Sequence, residues 1–133
     1  MVSEIARCGA VMITPFGIKI RELRQTHGIT MANMAAHLNV SSAYLSQLEH
    51  GKRGVPGVIM LDQICALFGL IWEDAEDLKT LAALSHPRVM IDTSHLGKEA
   101  MIAANLFAQL LPRVSEEEAQ AMAEWLKTRY DQL

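Results

Sequence analysis

The stretch TMANMAAHLNVSSAYLSQLEHGKR, residues 30–53, constrains the fold of this chain more than any other. Thr30 offers an N-cap to a short helix with an apolar face of Met31, Met34, Ala35 and Leu38. Ser41 offers one to a second short helix that carries Leu45 and Leu48 on its inner side. Only Asn39 and Val40 lie between them. Two helices so short and so tightly joined can cross steeply only if the contact residue is small and the turn residue tolerates positive φ. Ala35 supplies the first and Asn39, the most permissive residue after glycine, the second. Met34, Leu38, Val40, Leu45 and Leu48 then point to one shared core.

The flanking sequence extends the same pattern. Thr14 and Pro15 open a helix with Phe16, Ile20 and Leu23 on one stripe, and Gly28 closes it. Beyond Gly51, a basic loop with glycine and proline, residues 52–57, leads into a helix with Leu61, Ile64, Cys65 and Phe68 at helical spacing, closed by Gly69. A fifth helix is expected from Trp72 to about Leu84. Its first turns carry Glu73, Asp74, Glu76 and Asp77, where the helix dipole favours acids, and His86-Pro87 breaks it. Residues 88–91 read as a short extended piece and residues 92–97 as loop. Lys98 to Leu111 is a helix apolar on nearly every side, ended by Pro112, and such a helix must be buried all round. Ser115 and Glu118 form a capping box for a last helix with the stripe Ala119, Met122, Ala123, Leu126 and Tyr130. The fold class is all-α: five helices over residues 14–85, then a two-helix segment over 86–133, with residues 1–13 as an N-terminal arm.

Composition decides what the two parts are for. Half of the 133 residues are apolar and only 20% are charged, which excludes disorder and exceeds what a small monomer needs to cover. The surplus falls in the last two helices, so residues 86–133 are expected to dimerise. The interface would draw on Met101, Asn105, Leu106, Leu110, Met122, Trp125 and Leu126. Asn105 reads either as a buried register-setting residue or as one facing solvent at the helix edge. The net charge of -3 conceals an asymmetry: residues 14–70 hold five cations against three anions, residues 71–133 six against eleven. That difference in sign suggests a segment that meets a polyanion joined to one that does not.

Several classes of chemistry are not expected. Cys8 and Cys65 are far apart, so neither a disulfide framework nor a zinc site is expected; Cys65 reads as a core hydrophobe and Cys8, in the arm, as the more reactive thiol. His27, His37 and His50 sit at or near helix ends and are explained by the dipole. Trp72 and Trp125 read as packing anchors. There is no Gly-rich phosphate loop after a strand, no activated nucleophile pattern and no carboxylate pair with a cleft, so no enzymatic activity, metal or cofactor is expected. No apolar run spans a membrane and no signal segment is evident, so a cytoplasmic protein is expected, associated with the nucleoid when bound to DNA.

With RELRQTHGIT, the Ala35 and Asn39 spacing, VSSAYLSQLEHGKR and the terminal LFGL, residues 15–70 resemble the lambda-repressor-like, XRE-type helix-turn-helix family. The resemblance implies that the third helix enters the major groove of double-stranded DNA, with Ser42, Ala43, Tyr44, Ser46 and Gln47 toward base edges. Gln47 is the best direct reader there, since its amide matches adenine N6 and N7, and Ala43 suits a thymine methyl. It also implies phosphate contacts from Thr30, Ser41, His50, Lys52 and Arg53, and an internal ion pair between Arg24 and Glu49. Met31 departs from the glutamine common at the opening of the second helix. The function implied is a sequence-specific transcriptional regulator, a repressor, on a palindromic operator as a homodimer. The alternative is an antitoxin-like or anti-activator protein whose C-terminal helices bind a partner protein.

Overall fold

The computed structural model describes residues 12–133, so the expected N-terminal arm, Cys8 included, lies almost wholly outside the described residues. Among the described residues the chain is all-helical: α1 (Pro15–His27), α2 (Met31–Leu38), α3 (Ser42–Glu49), α4 (Val58–Phe68), α5 (Glu73–Ala83), α6 (Lys98–Leu110), a 3-10 turn (Leu111–Arg113) and α7 (Glu116–Asp131). Local chemistry sets these bounds. The hydroxyls of Thr14, Thr30, Ser41 and Ser115 each accept the backbone N–H three residues on, satisfying a donor that the helix leaves free. Gly28, Asn39 and Gly69 close their helices in the left-handed conformation, Asn39 with φ of 58°.

Two compact units divide between Val89 and Met90. In the first, α1 to α5 enclose a core in which Phe16, Ile20, Met34, Ile64 and Leu78 are fully buried, with Ala35, Leu45, Leu48 and Cys65 among them. Burial pushes the Cys65 thiol above its ordinary pKa by disfavouring the thiolate. The N-terminus of α1 is fastened at two points. Thr14 donates its backbone N–H (3.0 Å) and its hydroxyl (3.1 Å) to the carbonyl of Glu49, at the end of α3. Phe16 donates its N–H to the buried Ser85 Oγ at 2.9 Å, and that hydroxyl donates to Leu81 O. Gly17 allows the first contact: a Cβ there would overlap the Glu49 carbonyl, so α1 and α3 approach as closely as backbones permit.

Trp72 corrects an expectation. It is not a packing anchor: it is 82% exposed and holds a φ of 53° at the N-cap of α5. The core at the α4–α5 end is already filled by Phe68 and Leu78, with Leu70 and Ala75 packed against it.

In the second unit, neither α6 nor α7 buries a residue within the chain, although α6 is apolar nearly all round. Phe107 of α6 and Ala121, Met122, Trp125 and Leu126 of α7 line an open apolar hollow of about 300 Å³. Trp125 therefore anchors nothing inside the chain, being 63% exposed at the hollow's edge. Asn105 is exposed and donates to Met101 O one turn back at 2.8 Å. Only half of the capping box forms: Ser115 Oγ accepts from Glu118 N, while the Glu118 carboxylate meets that same hydroxyl at 3.4 Å instead of the Ser115 N–H.

Candidate nucleic-acid interface

The solvent side of α3 is a short polar surface standing on an apolar base. Leu45 and Leu48 fix one face of the helix in the core, which turns Ser42 and Ala43 fully outward and leaves Tyr44, Ser46 and Gln47 half-exposed. These expected base-facing residues are thereby brought together on one side. Thr30 and Ser41 lie exposed at the N-caps of α2 and α3. Each hydroxyl is occupied as an acceptor by a backbone N–H, from Asn33 and Tyr44 respectively, and retains its own hydrogen to donate.

Past α3 the chain makes a tight turn through Gly51 (φ 72°) and Gly54 (φ 73°). Lys52 N donates to Gln47 O at 2.9 Å and Gly54 N to Gly51 O at 3.0 Å, so the segment carrying Lys52 and Arg53 is folded back against the end of α3. Lys52 is exposed and has no ion-pair partner among the described residues. Arg53 is engaged: its Nε donates to Gln47 Oε1 at 2.7 Å, and its guanidinium carbon stands 5.9 Å from the centroid of the Tyr44 ring. His50 caps α3, with Nδ1 donating to Ser46 O at 2.8 Å, which leaves Nε2 as the ring nitrogen free for another partner.

The electrostatics of this surface depend on where Glu49 goes. It is α3's only carboxylate, and it is withdrawn from solvent to 2% exposure. There Arg24 Nη2 meets Oε2 at 3.0 Å and Arg21 Nε meets Oε1 at 3.1 Å. The exposed part of α3 and its following turn consequently display hydroxyl, amide and cationic groups without an anion. Arg21 is a partner that the sequence reading missed. Its signal was the spacing, since Arg21 and Arg24, three apart on α1, share a face. Gly17 and Ser85 were missed as well. An unforced glycine inside a strongly periodic helix was a visible cue for Gly17, because it costs about 1 kcal/mol relative to alanine unless something needs the space.

Comparison with known proteins is consistent with this geometry. Residues 15–78 match the family described as a helix-turn-helix domain. The uncharacterized HTH-type transcriptional regulator RghRB of Bacillus subtilis (strain 168) is 34% identical over 62 residues, 47% of this chain and 45% of its own length. The HTH-type transcriptional repressor RghR of the same organism is 44% identical over 41 residues, 31% of this chain and 30% of its own. The HTH-type transcriptional regulator PrpR of Mycobacterium tuberculosis is 31% identical over 88 residues, 65% of this chain and 18% of its own. The chain thus spans less than half the length of each of these curated relatives. No solved structure matches the chain significantly.

Proposed function

Because residues 15–78 match the helix-turn-helix domain family, we propose that this chain is a sequence-specific DNA-binding transcriptional regulator, a repressor, that reads a palindromic operator as a homodimer. The observation that carries the reading is the α3 surface: a carboxylate-free stripe of Ser42, Ala43, Tyr44, Ser46 and Gln47, followed at once by Lys52 and Arg53. A helix with its first turns so furnished fits the major groove, where side-chain amides and hydroxyls meet base edges. Lys52 and His50, with the hydroxyls of Thr30 and Ser41 at two helix N-termini, are the groups proposed to hold backbone phosphates and fix the register. Arg24 and Glu49 belong to the frame, with Arg21, and touch no DNA.

Homodimerisation is proposed for α6 and α7. Met101, Leu106, Leu110, Trp125 and Leu126 are exposed and Met122 is only half-buried, and the neighbouring Asn105 would sit among them. Surface of that kind on two helices is covered most simply by a second copy in a two-fold arrangement. Two α3 helices would then meet half-sites about one DNA turn, roughly 34 Å, apart. The same bare surface supports a second reading, in which a partner protein covers it.

The test is a gel-shift series on DNA from upstream of the protein's own gene. Wild type is expected to bind with an affinity that falls steeply with salt, Gln47→Ala to lose about 1 to 3 kcal/mol on the preferred sequence only, and Lys52→Ala to weaken all sequences alike with a shallower salt slope. Unchanged binding by both variants would sink the assignment of α3.

A further inference from the structure

We propose that Gln47 and Arg53 act as one donor unit that reads guanine, with Arg53 a positioning residue for Gln47 as well as a charge facing DNA. The inference rests on the DNA-reading assignment of α3 and deepens it. A guanidinium has hydrogens to give and no lone pair to accept with. The 2.7 Å contact from Arg53 Nε therefore has to fall on the carbonyl oxygen of the Gln47 amide, which turns Nε2 and its two hydrogens away from Arg53. An unrestrained glutamine can present its amide either way round. This one is held.

Two further features keep Arg53 where it is. Its guanidinium lies against the face of Tyr44, within the range of a cation–π attraction, and Tyr44 itself packs on the core. Its backbone sits in the turn between Gly51 and Gly54, tied to the end of α3 by Lys52 N to Gln47 O. A Cβ on Gly51 would come within 2.8 Å of Thr14 Cγ2, so the turn is pressed against the start of α1 and has little room to shift. The chain of support runs from core to Tyr44 to Arg53 to Gln47.

The consequence is a pattern of hydrogen-bonding groups. With one lone pair of Oε1 taken by Arg53 and the amide turned by that bond, the pair offers mainly donors: Nε2 of Gln47 and the terminal nitrogens of Arg53. In the major groove adenine presents a donor beside an acceptor, whereas guanine presents two acceptors, O6 and N7. A pair so rich in donors complements guanine better than adenine. This departs from the adenine preference that Gln47 suggests when taken alone, and it gives Arg53 a part in specificity that a phosphate contact would not have.

The experiment is selection from randomised duplexes with the full chain as wild type, Gln47→Ala and Arg53→Lys, followed by titration of the selected site and its single-base variants over a range of salt. The position whose preference vanishes in Gln47→Ala marks the base under Gln47. Wild type is expected to prefer guanine over adenine there by about tenfold. Arg53→Lys keeps the charge but loses the planar Nε contact, so it should flatten that one preference while leaving the other positions and the salt slope unchanged. Adenine at that position, or a preference that survives Arg53→Lys intact, overturns the inference while DNA binding stands. Failure of wild type to select any duplex overturns the DNA-reading assignment and this inference together.

Discussion

At the scale of single residues, one buried carboxylate organises the first unit. Glu49 is charged, buried and held by two arginines of unequal exposure: Arg24 at 16% and Arg21 at 46%. Removing one partner of a buried ion pair costs more than the pair is worth, because the remaining charge stays buried without compensation. Arg24→Ala should therefore cost about 2 to 3 kcal/mol in denaturant unfolding, whereas Arg21→Ala, nearly half in water, should cost less than about 1 kcal/mol. Equal losses for the two would mean that exposure does not set their weights. Gly17→Ala is a sterically different case at the same contact. The added methyl meets the Glu49 carbonyl, which is backbone and cannot swing aside, so a loss of about 3 kcal/mol or more is expected by the same measurement. Cys65 supplies a chemical probe of the intact core. Burial holds its thiol protonated above the usual range, so alkylation mapped by mass spectrometry at pH 8 should label it only as fast as the domain opens.

At the scale of elements, what could be read in the sequence was what is local. The caps at Thr14, Thr30 and Ser41 and the stops at Gly28, Asn39 and Gly69 each act within a few residues, so the starts of α1 to α3 and the ends of α1, α2 and α4 follow from sequence alone. What could not be read was set by contacts across long stretches of chain. Ser85 looks like loop in sequence, yet it holds Phe16 N from 69 residues away. Trp72 looks like core, yet whether a tryptophan finds a place inside depends on which side chains fill it first, and periodicity does not record that. For the site, the set of residues on α3 was legible from helical phase, but the tie between Arg53 and Gln47 was not, because it depends on the path of the Gly51–Gly54 turn. Elements α6 and α7 show the converse: the apolar pattern was plain, and the burial it calls for is not met within the chain. Replacing Leu106 and Leu110 together by glutamate should accordingly abolish self-association in light scattering while the cooperative melting of the first unit persists, since its core lies between Phe16 and Ala82. Loss of that melting transition would mean that the units are not independent.

At the scale of the whole molecule, the weakly acidic net charge resolves into a first unit whose α3 surface is free of anions and a second unit rich in acids and exposed apolar residues. The division between Val89 and Met90 leaves Ser85 on the side of the fold it helps to hold. A chain ending at Val89 should thus stay folded, behave as a monomer and bind an operator at least about tenfold more weakly, because one half-site contact no longer brings the second into reach. Undiminished affinity in the shortened chain would place dimerisation elsewhere. The central claim, that this protein reads DNA through paired α3 helices, is tested most directly by footprinting the full chain on DNA upstream of its own gene across a salt series. The account predicts one protected region with two-fold symmetry, its half-sites centred roughly 34 Å apart, fading as salt rises and weakened by Gln47→Ala. Absence of protection, or protection without symmetry that ignores Gln47→Ala, would contradict it.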